Sequence, residues 1–416
     1  MAEPATSIWS RTGLNAFNFF TAGVQTGFGP FLAVYLTRSG WDQESVGLAL
    51  SIGTIAGVVS QVPGGALVDH IHHKRLVCAV SLGVIGISAL VLALWPGLAP
   101  VWIAQILHAF GSAVLTPAIA AMTLTLCGHN EFGERLGTNA RYASLGNAIA
   151  AALLGAVAYH LSHRAVFFLT AAMSLPGIFA LMLLRPGEID PHADHPALLH
   201  PRERTARPWQ VFFELHLHTF ALCIALFFLA NAAMLPVALN ALAEHNSAVG
   251  LATSASIIVP QIVVMLFSPW LGRAAQRWGR RPLLAVGFAA LPLRGLLFAT
   301  LPGPGFLVGI ELLDGVSGAV LGIMMPLVAA DLTRRTGFLN LAIGSFGLAA
   351  SLGATLSTTL AGWIADAFGV RMAFLVLAAA GCVALLLVIR VMPETKPEPE
   401  VMATNRPSCG ERPAGA

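Results

Sequence analysis

The run Gly64-Gly65-Ala66-Leu67-Val68-Asp69-His70-Ile71-His72-His73-Lys74-Arg75 separates two long apolar segments, and a variant of it, Gly272 to Arg281, separates two more. Each copy is a short charged turn between stretches of membrane-spanning length. Gly65 and Gly272 stand 207 positions apart in a chain of 416 residues. The same device therefore recurs at the same point of two halves, which is the sequence mark of a duplicated membrane scaffold.

Composition agrees with that reading. Hydrophobic residues make up 56% of the chain and charged residues 10%, too little charge to cover the surface of a water-soluble fold of this length. Apolar runs of about 20 residues recur along the chain, each long enough to cross roughly 30 Å of hydrocarbon as a helix. The reading is an all-α membrane protein with twelve transmembrane helices in two pseudo-symmetric six-helix bundles. The first bundle covers residues 1–184 and the second 211–392, with a polar Pro- and His-rich cytoplasmic linker at 185–210 and a disordered cytoplasmic tail at 393–416.

Charge sorts by membrane side. With the N-terminus inside, only Arg38, Arg164 and Arg371 of the 23 Lys and Arg residues face outward, and Arg141 and Arg294 fall within spans. The positive-inside rule then places both termini in the cytoplasm. The net charge of +3 is explained by topology, and no nucleic-acid partner is expected. Cys78, Cys127, Cys223, Cys382 and Cys409 show neither disulfide nor metal-ligand spacing, and no cleavable leader is read at the N-terminus.

Span one (about Arg11 to Thr37) is polar for a membrane segment, with Asn15, Asn18 and Gln25 ahead of Gly27-Phe28-Gly29-Pro30. Trp95 and Trp102 read as an interfacial belt. Gln105-Ile-Leu-His108 in span four overlays Glu311-Leu-Leu-Asp314 in span ten at an offset of 206, and Asn139 with Gly146 overlays Asn340 with Gly347 in spans five and eleven.

On these residues the chain resembles the major facilitator superfamily of secondary transporters. The turn motif of that family reads Gly, three residues, Asp, a basic residue, any residue, Gly, then two basic residues. Gly65, Asp69, His70, His73 and Lys74 hold matching places, Arg75 follows, and His72 replaces the second Gly. In the second copy Gly272, Arg277, Gly279, Arg280 and Arg281 match, with Gln276 for the acid. The family's span-four Arg is Gln105 here, and Ala156 replaces the Pro that would follow Gly146 and Gly155 in its antiporter motif. Asp314-Gly315 and Ala330-Asp331-Leu332-Thr333 are similar to an uncharacterised bacterial subgroup. The resemblance implies alternating access about a central site, with the Asp69 turn and its echo forming a cytoplasmic gate.

Ionisable groups inside spans are the candidates for chemistry, because hydrocarbon penalises them unless they are paired, hydrated or protonated. Glu311 and Asp314 lie three apart on one helix face, and Arg294 reaches the same depth from the neighbouring span. The functional reading makes Asp314 the proton- or substrate-binding group while Arg294 holds Glu311. The structural reading makes the trio an ion pair that ties two spans together. His108 is either a cavity ligand or a packing histidine, and Arg141 either binds an anion or snorkels to water. Spans one, four, seven and ten are expected to line the cavity, with Gln25, His108, Asn231, Glu311 and Asp314 in its wall. His70, His72, His73, His192, His195, His200, His216 and His218 invite a metal, but no ligand spacing completes a site, and no Gly-x-x-x-x-Gly-Lys phosphate loop is present.

The expected function is secondary transport of a small solute, by proton-coupled export of a metabolite or toxic compound, with proton-coupled uptake second. A non-transporting receptor on the same scaffold is the rival. No enzyme activity, cofactor or metal is expected. The expected setting is a monomer in the bacterial inner membrane, with a small-molecule substrate and the proton as coupling ion.

Overall fold

A chain this apolar must satisfy its backbone internally, by helices or by a closed barrel, and it takes helices. The computed structural model describes residues 7–28, 30–188, 215–243, 249–301, 303–334 and 336–396, so the expected linker is described only to Glu188 and the expected tail only to Lys396. Span one is Ile8–Thr26 followed by Pro30–Arg38, span two Gln43–His70 and span three Lys74–Leu94. Leu98–His160 holds spans four and five, and His163–Met182 is span six. Span seven is Leu215–Asn231 followed by Met234–Ala243, and spans eight to twelve are Val249–Trp278, Arg281–Thr300, Pro304–Thr333, Leu339–Phe368 and Val370–Arg390.

Two local devices shape this bundle. Leu98–His160 is assigned as one helix of 63 residues, which if straight would be about 95 Å long. Yet Asn139 Nδ2 donates to Thr123 Oγ1 at 2.8 Å, which only a reversal between them allows. The reversal sits at Gly128, whose φ of 64° and ψ of 176° belong to a region essentially restricted to glycine. The second device breaks spans one and seven at matching levels. Pro30 and Pro236 each lack the N–H that a carbonyl four residues earlier needs, and at the second break the Ala233 N–H is taken up by Ser357 Oγ at 3.1 Å.

Glycine contacts reveal the duplication more sharply than the apolar pattern does. Gly65 lies against the Asn340 backbone as Gly272 lies against Gly133, and Gly344 meets Gln61 as Gly137 meets Ser268. A Cβ at any of these four would overlap a backbone carbonyl oxygen. These contacts join span two to span eleven and span eight to span five, so the halves meet along two equivalent seams. They relate positions 207 apart. The expected equivalence of Asn139 with Asn340 is therefore wrong, because the residue placed like Asn340 is Gly133. The two asparagines also act differently: Asn139 bonds within its own hairpin, and Asn340 bonds across to Asp69.

One apolar core lies in the first half, centred on Phe17, Leu82, Ile85 and Phe167, and a second, centred on Phe220, Phe227, Phe288 and Phe346, extends across to Leu124, Phe132 and Leu136 of the first. Ile55, Val59, Leu76, Phe179, Leu266 and Leu356 point outward and are exposed, a surface that suits lipid and would be costly in water.

Candidate functional site

Asp69 ends span two, buried, and its carboxylate reaches the start of span eleven. Oδ1 accepts from the Asn340 backbone N–H at 3.1 Å and from Asn340 Nδ2 at 2.7 Å, and Oδ2 accepts from the Leu341 N–H at 2.8 Å. The first turn of Leu339–Phe368 leaves its N–H groups without partners in the helix and carries partial positive charge. A carboxylate from the other half thus caps it. Gly65, one turn earlier, allows the approach because any side chain there would strike the Asn340 carbonyl.

The remaining gate candidates divide. Gly272 lies on the second seam, against Gly133, and Gln276 reaches the same glycine. Lys74 donates from Nζ to the Val68 carbonyl at 2.7 Å, inside its own half, while Arg75 is half-buried. Arg280 is buried and pairs with Asp331 at 2.8 Å, and its N–H and that of Arg281 donate to the Glu394 carboxylate at 2.8 and 3.1 Å. Arg281 also donates to the Ile389 carbonyl. Gly279 has a φ of 95°, and Arg277 is exposed. These basic residues therefore fasten spans nine, ten and twelve of one half together. Asp331, Glu394 and Asn340 were not singled out from sequence as partners. A carboxylate just inside or after a span, at the same end as a basic turn, is the signal that could have found the first two.

Within the spans, one cluster gathers most of the expected residues. Arg294 Nη2 donates to Glu311 Oε1 at 2.7 Å, and Nη1 donates to Asp314 Oδ1 at 2.8 Å and to Asn231 Oδ1 at 2.5 Å. Asn231 Nδ2 closes the ring with Asp314 Oδ1 at 3.0 Å. The Arg294 and Glu311 side chains are 2% and 0% exposed, Asp314 28%. The division expected between Asp314 and an Arg294–Glu311 pair does not hold, because a guanidinium presents two forks and one Arg294 engages both acids. Glu311 Oε2 has no hydrogen-bond partner among the described residues. Two carboxyls against one guanidinium leave a charge of −1 when both acids are ionised, and none when one holds a proton.

The first half carries a neutral version of this cluster. At an offset of 206, Gln25, Ser88, Gln105 and His108 stand for Asn231, Arg294, Glu311 and Asp314. Gln105 donates to the Ala49 carbonyl at 3.4 Å. His108 stacks on Phe28 at the span-one break, ring centroids 3.8 Å apart, with Ser112 Oγ 3.4 Å from its Nε2. Extending the constant offset from span four to spans one and three would have found Ser88 and the Gln25–Asn231 equivalence.

Between the halves lies a cavity of about 270 Å³ lined by Asn18, Thr21, Gln25, Thr116, Asn139, Gly322, Met325, Pro326, Ile343 and their neighbours. No charged side chain is among these. Spans one, four, five, ten and eleven supply the wall of this cavity, which includes the expected spans one, four and ten. The seams bring spans five and eleven to the centre, while Asn231 of span seven is drawn back to Arg294. Gln25 lies in this wall; His108, Asn231, Glu311 and Asp314 do not. Arg141 is exposed. Among the described residues no three metal-ligating side chains come together, and His192, His195 and His200 lie outside the described residues.

Comparison with known proteins places this arrangement. The family model described as Major Facilitator Superfamily matches residues 14–237 and 220–407. An uncharacterised MFS-type transporter of Mycobacterium tuberculosis is 36% identical over 403 residues, covering 95% of this chain and 96% of that protein. A multidrug resistance protein B homolog of the same organism is 33% identical over 131 residues, 31% of this chain and 24% of that one. Among solved structures, the proton:xylose symporter XylE superposes with a TM-score of 0.70 at 15% identity, covering 94% of this chain and 95% of its own.

Proposed function

The chain belongs to the major facilitator superfamily, whose members are membrane transporters and not enzymes, and from that premise we propose that it exports a small metabolite or toxic compound in exchange for protons. Export and import of one solute use the same rocking of two halves about a central cavity. What supports proton coupling is the composition of the buried cluster on spans seven, nine and ten. With Glu311 and Asp314 both ionised, Arg294 leaves one negative charge in the membrane interior; one shared proton removes it. Glu311 Oε2 is the oxygen without a partner, and Asp314 is the more exposed of the two acids. Protons therefore enter by Asp314 and are held between the two carboxyls. The cytoplasmic side is assigned to the end with the charged turns, as the positive-inside rule requires, and the protein works as a monomer in the bacterial inner membrane. The partial likeness to a multidrug resistance homolog supports export over uptake.

The test is reconstitution of the full chain in sealed vesicles carrying an internal pH dye. A pH difference across the membrane should drive accumulation of solute, and a solute gradient should move protons. Asp314→Asn and Glu311→Gln should each leave solute exchange without an imposed pH gradient but remove its response to one. Solute movement that ignores the proton gradient in the wild-type chain would overturn the coupling.

A further inference from the structure

The central cavity is chemically lopsided. Its polar side chains, Asn18, Thr21, Gln25, Thr116 and Asn139, all come from the first half, while the second half contributes Gly322, Met325, Pro326 and Ile343. Two of the polar groups have no hydrogen-bond partner at a reactive atom. Thr21 and Asn139 are each 4% exposed, and Thr21 Oγ1 and Asn139 Oδ1 are buried without a partner among the described residues. Asn139 donates one of its two Nδ2 hydrogens to Thr123, while its Oδ1, a carbonyl oxygen that can only accept, has no donor among the described residues. Leaving such an atom unpaired costs about 1–3 kcal/mol, which makes it a strong preference for a donor brought in by something else.

The apolar wall adds a second acceptor. Pro326 has no N–H, so the Gly322 carbonyl, four residues earlier, lacks its helical partner. Both residues line the cavity, and a Cβ at Gly322 would meet nothing within 4 Å. Residues of both halves that line the cavity, Asn139 and Gly322, thus each carry a carbonyl oxygen short of a donor, and no ionised side chain is in the wall to balance a charged guest. A bare ion placed there would lose its hydration without a counter-charge.

We propose that the solute is an uncharged amphiphile that carries at least one hydroxyl or amide N–H donor. Its polar end lies against Thr21 and Asn139 and its apolar body against Met325 and Ile343. This rests on the cavity being the transport site and adds to it the chemical class of the cargo. A volume of about 270 Å³ lies just below the range for ligand pockets, about 300–1,000 Å³, so the solute is small.

The experiment uses purified full-length protein and a matched probe series: 4-hydroxybenzanilide, its O,N-dimethylated form with no donor, and the same two-ring scaffold bearing a trimethylammonium or a carboxylate group. Titration calorimetry should show the hydroxyanilide binding best, with methylation costing about tenfold or more, roughly the loss of one or two hydrogen bonds. Asn139→Ala should lower affinity for the hydroxyanilide about tenfold and leave the dimethyl probe unchanged. Pro326→Ala restores a helical N–H to Gly322, so the helix gains a bond while the cavity loses an acceptor; it should weaken the hydroxyanilide alone. The inference is overturned if either charged probe binds more tightly than the hydroxyanilide, if methylation is without effect, or if the hydroxyanilide does not bind. Vesicle flux separates the two proposals. Proton-driven movement of a charged probe keeps the transport reading and refutes this class, whereas the predicted binding order without any flux keeps the class and refutes transport.

Discussion

Replacing Asp69 with Asn tests what holds the halves together at the charged-turn end. The amide oxygen can stand where Oδ1 stands and keep both bonds from Asn340. The amide nitrogen must then stand where Oδ2 stands, facing the Leu341 N–H donor 2.8 Å away. One charge-assisted bond is lost and a buried N–H is left unpaired, at about 1–3 kcal/mol. The lost charge at a helix N-terminus adds roughly 0.3–1 kcal/mol. Together these amount to roughly 1–4 kcal/mol against the state closed at this end, or a shift of about 10- to 1,000-fold toward the open one. Pulsed dipolar spectroscopy would read it from spin labels at the exposed positions His72 and Arg334, with Cys127, Cys382 and Cys409 replaced. The wild type should give one short distance and Asp69→Asn a large added population at longer distance. Identical distributions in the two proteins would refute the assignment of Asp69 as the lock.

Other substitutions probe the remaining parts of the structure. Gly65→Val places a branched side chain on the Asn340 carbonyl and should open the same spin-label distance at least as far as Asp69→Asn. Gly47→Val meets open space and should leave that distance unchanged. Arg294→Met strands the buried Glu311 and the half-buried Asp314 and should destabilise the fold by about 3–5 kcal/mol, read as a lower melting midpoint in detergent; adding Glu311→Gln should recover part of it. Glu394→Ala removes the acceptor for the Arg280 and Arg281 N–H groups and should cost about 1 kcal/mol, as loss of a helix cap does, without altering the spin-label distance.

Much of this architecture is legible without coordinates because hydrocarbon imposes a simple rule: an apolar run of sufficient length must be a helix. The duplicated turns, the spans and the approach of Arg294 to Glu311 all follow from spacing and depth along known helices. What spacing alone could not give was register between helices in contact. Asn139 and Asn340 share a residue type and a following glycine, yet the glycine seams pair positions by close backbone approach, which no side-chain pattern records. Asp314 was assigned a separate role because a linear depth count treats a guanidinium as a point, whereas Arg294 reaches two acids and Asn231 at once. Nothing in the sequence says that Asn231 of span seven turns toward Arg294.

The contrast between equivalent clusters gives the duplication a functional meaning. A symmetric ancestor would place the same group at both Glu311 and Gln105, and at both Asp314 and His108. Here only the second half holds charge at these places, and among the described residues the cavity-lining side chains with an unpaired polar atom, Thr21 and Asn139, both belong to the first half. A titrating group in the wall would change the affinity for solute each time it exchanged a proton, by direct contact. With the acids bonded to Arg294, the proton coupling we propose would pass through the position of spans seven and ten. That arrangement predicts that protonation alters which end is closed more than it alters solute affinity within one closed state. Solute binding measured on Asp69→Asn at two pH values, against wild type at the same values, separates the two. If protonation acts through the conformational equilibrium, the pH effect on affinity should shrink when the lock is already released; an undiminished effect would place the acids in direct contact with the solute.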